Sequence, residues 1–524
     1  MPSPEMSHVP EAPTLPPSAP ASRAFDVADL YRGPVAEPAA ADAVPLDEKL
    51  RQAYFWIVNQ AIISTHYDIE YHNGPSASFA FGDSKTPVSL PSGQSYSSFV
   101  LMPLLTFATR RRCLIVGGPG RGKTASAILM GVLAGYPVRE VRRSMQHGHP
   151  QMTTADLLGA PLPADLMTAE SADDIRIGWR SWLSMRVRIV DEYNRIPTRT
   201  QSSLLTVLGD GYAEMFDQIY ECPPGAWFLT ANDDAGGGTY PVIEALRDRI
   251  DVVVQALSFN NRFLPELLDR VEQGYRPEEV VPAQIVFTPD ELDRMHAAIL
   301  AVELPEPVRR RLEFFASQFE FFEPAAVQLE YMTKDTARLA GVDLHLLGAG
   351  ETGRDRLADL GTQTRNGLSV RALQTLLIYA KALAFFRGQG VVGLDDLRHV
   401  VPFVLHDKLI PDLDAPFFEV AANEPLRVDR VGWIRRLFDL SCADYDRQDL
   451  DRTDPVADLL RQFRAGLAGV TEAEATARLE AVERLLGEWS SARKLYGTTY
   501  DDILVLKYLH QRITNYLAWL RWQG

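Results

Sequence analysis

Cysteine is scarce in this chain: Cys113, Cys222 and Cys442 are the three present in 524 residues, and no two stand in CxxC spacing. That leaves neither a disulfide framework nor a thiolate metal cage, and it fits a reducing cytoplasm. No run of about 18 apolar residues occurs, so no transmembrane helix is expected. The first residues, Met1-Pro2-Ser3-Pro4-Glu5, lack a basic stretch and an apolar core, so no secretory leader is expected either. Positive charge is also short. There are 53 Lys and Arg against 69 Asp and Glu, a formal net charge of −16, which argues against general binding to nucleic acid or anionic membrane.

What is present is ordinary globular material, 46% hydrophobic and 23% charged. Length suggests about three domains. Residues 1–45, rich in Pro, Ala and Ser, bury too little apolar surface to offset their ordering entropy, so a disordered tail is expected there. Helical spacing begins at Leu46 with Leu50, Tyr54, Ile57, Val58 and Ala61. A Gly/Ser/Pro-rich stretch, 73–96, reads as a loop. Four short apolar runs follow, at 113–116, 187–190, 227–230 and 250–254, separated by helical segments. This alternation predicts an α/β fold, a parallel sheet covered by helices on both faces. Beyond about residue 259 the pattern turns helical, with starts at Thr288-Pro289-Asp290-Glu291, Thr471-Glu472-Ala473-Glu474 and Thr498-Thr499-Tyr500-Asp501, and helices over 368–386 and 394–405.

Gly117-Gly118-Pro119-Gly120-Arg121-Gly122-Lys123-Thr124 fits GxxxxGK[ST], between an apolar run and the helical stretch that Ala125 opens. Glycines allow positive φ, which turns successive amides inward around phosphate oxygens, and the helix N-terminus adds its dipole. ATP is the expected ligand: residues 117–125 form its cradle, Lys123 neutralises the β- and γ-phosphates, and Thr124 ligates Mg²⁺. Asp191 and Glu192 end the run 187–190. An acidic pair at the carboxyl end of a buried strand lies where open α/β sheets bind ligands. Asp191 is expected to hold Mg²⁺ and Glu192 to orient the attacking water. The expected geometry is a loop around Lys123 beside Asp191 and Glu192 on adjacent strands. Arg188, a charge inside this run, implies an exposed strand edge or an acidic partner.

These motifs resemble those of MoxR-type AAA+ ATPases. Asp191-Glu192-Tyr193-Asn194-Arg195-Ile196-Pro197, with Gln201 to Leu205 after it, is similar to the family's DEINR…QxxLL segment. Thr230-Ala231-Asn232-Asp233 is similar to its sensor 1. Gly238 to Asp251 resembles its GxYPLPEAxxDRFD run, and Thr154 to Gly159 its (S/T)DLxG segment. The resemblance covers roughly 100–410 and departs at Ile250 (for Phe), at Val370 (for Pro) and over an apparent insertion at 318–365. It implies an α/β P-loop AAA+ core with an α-helical lid; the N-terminal tail and the region beyond about 425 have no counterpart in the family, and the latter reads from its own helix starts as an extra helical C-terminal domain. The corresponding boundaries are a core with an N-terminal helix at 46–258, a lid at 259–425 and a C-terminal helical domain at 426–524.

The resemblance further implies that Asn232 senses the γ-phosphate and that Arg249, with Arg247 as competitor, is an arginine finger acting in a neighbouring subunit. It also implies that Arg371 is a sensor 2 reaching from the lid. Each has a plainer reading: Asn232 as the start of a turn before Gly236-Gly237-Gly238, Arg249 as a surface arginine paired with Asp248 or Asp251, and Arg371 as a helix-start residue. The implied activity is Mg-dependent ATP hydrolysis by a hexameric ring of identical subunits in the cytoplasm, driving chaperone-like remodelling of a protein partner, with a von Willebrand factor A domain protein among its partners. A nucleic-acid motor of the MCM or helicase type and a slow nucleotide-gated scaffold are the alternatives, the first disfavoured by charge and the second by Glu192. His147-Gly148-His149 has no third ligand at metal spacing. Trp179 and Trp182 read as core or as an exposed loop, and the aromatic C-terminal helix with Tyr508, Tyr516, Trp519 and Trp522 as a packed amphipathic one.

Overall fold

The structure, a computed structural model, describes residues 44–82, 88–168, 175–232, 242, 244–257, 260–320, 360–452, 454–492 and 498–523. Residues 1–43 of the expected tail, the Gly236–Gly238 turn with the following Thr239-Tyr240-Pro241, and 321–359 of the expected insertion lie outside these.

The apolar runs become a five-stranded parallel sheet: β1 Arg112–Val116, β2 Gln146–His147, β3 Val187–Asp191, β4 Ala226–Ala231 and β5 Val252–Gln255. Its order is β5-β1-β4-β3-β2. Successive side chains alternate between faces, and here both faces are apolar because helices cover each. Cys113, Ile115, Ile189, Phe228 and Val254 enter one large cluster. Leu114, Val190, Leu229 and Val253 enter another. The first cluster is closed by α1 (Leu46–Trp56), by the buried α2 (Ser98–Thr109) and by α3 (Lys123–Leu133). The second is closed by α4 (Thr198–Asp210), through Leu204, Val207 and Leu208, and by Trp182.

Two expectations are corrected here. The sheet does not place the strand of Lys123 next to the strand of Asp191; β4 lies between them, in parallel register with both. Arg188 neither lies on an exposed edge nor pairs with an acid. It is 3% exposed, donates to the carbonyls of Leu183 (2.9 Å) and Pro223 (2.7 Å), and lies 5.2 Å from the Trp227 ring. Carbonyls and a π-face satisfy a guanidinium without a carboxylate; burial alone pulls its pKa down.

After β5 the described residues form helices joined by turns. α5 (Glu244–Arg249) precedes that strand, and α6 (Pro289–Ala301) opens with the capping box of Thr288 and Glu291. α7 (Val370–Phe386) starts at its Ser369 cap, α8 (Leu394–Leu405) packs on α7, and α9 (Arg430–Arg447) packs on α8. These helices share the first apolar cluster with the sheet. By contrast α10 (Pro455–Arg464), α11 (Glu472–Ala492) and α12 (Thr498–Gln523) build two small clusters of their own. On α12 the packed stripe is aliphatic, Leu506, Leu509, Ile513 and Leu517, whereas Tyr508, Trp519 and Trp522 are exposed. Tyr516 packs beside this stripe and donates to the Val470 carbonyl at 2.9 Å, so the helix is packed and amphipathic, with Trp519 and Trp522 off the packing face.

The 73–96 stretch is more ordered than a loop. Ile69–Glu70 pairs with Ser95–Tyr96, and Ser78–Phe79 with Val88–Ser89. Two further hairpins, Gly159–Pro161 with Ile177–Trp179 and Tyr212–Met215 with Gln218–Glu221, were not legible in the sequence. No described helix is long and apolar enough to cross a membrane.

Candidate functional site

The carboxyl ends of β1, β4 and β3 lie level, because Val116 registers with Ala231 and Leu229 with Val190. Each strand then delivers its polar residues to one place. After β1 the loop turns through Gly120 (φ 72°) and Gly122 (φ 76°), conformations cheap only for glycine, and α3 begins at Lys123. Gly117 fits closely: a Cβ there would come 2.6 Å from the carbonyl oxygen of Ala256. Gly118 and Pro119 complete the loop, Ala125 lies in the first turn of α3, and Arg121 turns back so that Nη1 donates to the Ala256 carbonyl at 3.2 Å.

Lys123 is buried, and its Nζ donates to the carbonyls of Gly117 (2.6 Å) and Gly118 (2.7 Å) and to Oδ1 of Asn232 (3.0 Å). Asn232 stands just past β4, so its carboxamide spans the gap between the two outer strands. Its Nδ2 donates to Oε1 of Glu192 at 3.2 Å. Asp191 Oδ1 accepts from Thr124 Oγ1 (3.0 Å) and from Thr230 Oγ1 (2.5 Å), and the Glu192 amide donates to that same Thr230 oxygen (3.0 Å). Glu192 itself adopts φ 53°, an uncommon state for a non-glycine residue that turns its side chain out of the strand direction.

Lys123, Thr124, Asp191, Glu192 and Asn232 are thus joined by one hydrogen-bonded chain. The donor set fits a hard divalent cation held jointly with phosphate: two oxygens, from Thr124 and Asp191, 3.0 Å apart beside the N-terminus of α3.

The arginines lie elsewhere. Arg249, at the end of α5, donates to its own helix at the Ala245 carbonyl (3.3 Å) and lies so close over Gly209 of α4 that a Cβ there would meet its Nε at 2.1 Å. Among the described residues it forms no ion pair with Asp248 or Asp251, whose partners include Arg371 and Ser369 for the first and Arg112 and Thr375 for the second. Arg371 and Ser369 both bond Asp248, and the Asp248 carbonyl accepts from Lys408 Nζ at 2.7 Å. Arg371 therefore ties the lid to α5. Arg247 is exposed, close to Asp407. Burial pushes the Asp407 carboxyl up, yet His406 and, more weakly, Arg430 and Arg247 hold it below the usual range.

Three residues, though they stand in segments quoted above, were assigned no part in the nucleotide site by the sequence. Thr230 is a buried hydroxyl in an otherwise apolar strand, and that mismatch was the available signal. Arg195 sits with Nε 3.2 Å from Glu192 Oε2. His147 reaches Asp191 Oδ2 at 3.5 Å from β2. Trp182 is core, its indole donating to the Leu157 carbonyl, while Trp179 is half-buried against Tyr220.

Comparison with known proteins locates the lid. Residues 358–427 match the model of the AAA lid domain. The chain is 24% identical over 237 residues to Chaperone MoxR1 of Mycobacterium tuberculosis, a match over 44% of this chain and 53%, about half, of that relative's length. A crystal structure from Cytophaga hutchinsonii, named "putative ATPase", is 20% identical and covers 63% of this chain and 88% of its own, with a TM-score of 0.44. That superposition is loose.

Proposed function

We propose that this chain, which belongs to the MoxR-type AAA+ proteins, binds Mg·ATP in the loop 117–125 and hydrolyses it to ADP and phosphate. The observation that carries the reading is the hydrogen-bonded chain from Lys123 through Asn232 to Glu192, with Thr124 and Asp191 3.0 Å apart beside it.

The loop amides and Lys123 bind the phosphates, and Thr124 and Asp191 hold Mg²⁺, which when bound supplies charge neutralisation at the phosphoryl oxygens. Glu192 orients the attacking water and takes its proton on a carboxylate oxygen as the new P–O bond forms. The bond from the γ-phosphorus to the bridging oxygen breaks, and its electron pair leaves with ADP. Asn232 keeps Glu192 in line with the phosphate through its Nδ2. Phosphoryl transfer needs little more from a protein than this positioning and charge stabilisation.

The same reading divides the chain into a core at 46–258, a lid at 259–425 and a C-terminal helical domain at 426–524. By the family resemblance the reading extends to a homo-oligomeric ring, a hexamer, in which Arg249 of one subunit serves its neighbour's ATP; within one chain Arg249 contacts its own helix and not the P-loop. Closure of the lid would release Arg371 from Asp248 towards the γ-phosphate. The work performed is chaperone-like remodelling or maturation of a protein in the cytoplasm, and a von Willebrand factor A domain protein is the proposed partner class.

Two measurements test this. Calorimetry should give saturable Mg·ATP uptake that Lys123→Ala abolishes; no uptake by the wild type defeats the reading. Turnover per subunit should rise with protein concentration, and Arg249→Ala should remove that rise. An unchanged concentration dependence would sink the finger in trans.

A further inference from the structure

Beside the outer edge of the sheet lies a cavity of about 880 Å³, bounded by β2, by the segment 152–160 and by the strand 177–179 with its continuation to Trp182. None of residues 117–125 lines it, and its volume is that of a ligand pocket. In a chain of net charge −16 its wall carries two guanidiniums, Arg143 and Arg180, beside His147, His149, Met145 and Trp179. The lining includes one acid, Asp156. That carboxylate is already occupied, accepting from the Thr153 amide (2.9 Å) and hydroxyl (2.7 Å). Those bonds, more than Arg180 and His149, hold its pKa low. Among the described residues neither Arg143 nor Arg180 forms an ion pair.

The cavity also shares a wall with the candidate nucleotide site. Gln146 and His147 register with Val190 and Asp191. The Gly148 amide donates to the Asp191 carbonyl at 2.8 Å, and a Cβ on Gly148 would lie 2.2 Å from the Glu192 carbonyl oxygen. With His147 Nδ1 3.5 Å from Asp191 Oδ2, the strip 146–149 touches the cavity on one side and both acidic residues on the other. Packing this tight transmits displacement rather than absorbing it.

The geometry points to a docking site for an extended acidic segment of a partner protein, whose seating changes nucleotide handling through the strip 146–149. Two guanidiniums fix carboxylates, and Trp179 and Met145 receive an apolar side chain beside them. A polyphosphate chain fits less well, since it needs a run of cations and would face the negative remainder of the molecule. Edge strands and their flanking walls are common receivers of extended segments. The coupling rests on the reading of Asp191 and Glu192 given above; the docking does not.

The test uses the full chain and a blocked, fluorescently labelled peptide Glu-Glu-Phe-Glu-Glu, followed by anisotropy without nucleotide. Saturable binding is expected, absent for the lysine counterpart and weakened about tenfold or more in Arg143→Glu/Arg180→Glu. Both arginines are exposed, and the double variant should bind a fluorescent Mg·ADP analogue as the wild type does. Saturating peptide should shift that analogue's affinity about fivefold, with the reciprocal shift in peptide affinity, and the double variant should lose the shift. Equal binding of the lysine peptide, full binding by the double variant, or equal displacement by inorganic phosphate overturns the docking site. Peptide binding with no shift in the analogue's affinity overturns the coupling. Failure of the analogue to bind at all, with peptide binding intact, strikes the nucleotide reading instead.

Discussion

The candidate site and the seam between core and lid both concentrate charge, but they hold it on different terms. At the site Asp191 and Glu192 are partly exposed, and their partners are hydroxyls, an amide and a surface arginine that can all change places. In the seam most of the charges are buried and saturated, the half-exposed pair of Arg371 and Asp248 apart. Lys49 and Glu291, 1% and 3% exposed, join α1 to α6 at 2.8 Å, and Asp251 accepts from the Arg112 amide (2.9 Å) and from Thr375 of α7 (2.8 Å). Asp396 of α8 accepts from Tyr71 and Arg387, each at 2.8 Å. The contrast separates charge that performs chemistry from charge that fixes one arrangement of helices. Substitutions in the first region should alter turnover at constant stability, and those in the second the reverse.

The largest break should come from Glu192→Gln. Losing the base is expected to slow turnover on the order of 10²- to 10⁴-fold, with Mg·ATP affinity and melting temperature retained. A parallel fall in melting temperature would place Glu192 among the structural charges. Next is Glu291→Ala, which strands the buried Lys49 ammonium and removes the capping box of α6. It should cost about 3–5 kcal/mol in urea unfolding, while nucleotide affinity of the folded fraction is unaltered.

A third test uses pH. His399 of α8 is 2% exposed and packs against the Tyr71 ring at 4.6 Å. Burial first, then Arg435, Arg398 and Arg387, depress its pKa to about 3. The folded state therefore keeps it neutral where the unfolded chain takes a proton. Its contribution is fully present above the unfolded value near 6.5 and is lost as pH falls from there towards 3, at about 1.4 kcal/mol per pH unit. Denaturant titrations between pH 6.5 and 5 should show that slope, and His399→Gln should flatten it by about one proton. An identical slope in the variant would show that the imidazole is charged in the fold. The smallest effect is expected of Arg195→Ala. Both partners of its ion pair are more than a third exposed, 42% and 37%, so stability should move by less than about 1 kcal/mol. Turnover should nonetheless change, because Glu192 Oε2 loses the group that restrains it; unchanged turnover would make the pair decorative.

The parts that were legible in the sequence share a physical reason. The loop 117–124 needs glycines where φ is positive, and β1, β3, β4 and β5 need apolar residues on both faces, so each left an unmistakable composition. β2 is two polar residues, Gln146–His147, and left none. The hairpin 212–221 turns on Phe216-Asp217, both at positive φ, without the glycine or asparagine that marks such a turn. Arg188 was misread because a buried guanidinium satisfied by carbonyls looks, in one dimension, like a charge in need of an acid. The position of β4 between β1 and β3 is set by crossover connections, which strand composition does not encode. On α12, Trp519 and Trp522 were assigned to packing by hydrophobicity alone, whereas Leu506, Leu509, Ile513 and Leu517 carry the four-residue rhythm that faces its neighbours.

Because β4 separates the lysine from the acid, the two communicate through a single planar group with a fixed polarity. The ammonium of Lys123 can only donate and the carboxylate of Glu192 can only accept, so the Asn232 carboxamide has one orientation that serves both. Aspartate at 232 would turn a donor into a second anion facing the first, leucine would silence both ends, and glutamine would overreach by a methylene. The strand order thus makes an uncharged amide at this point a chemical requirement.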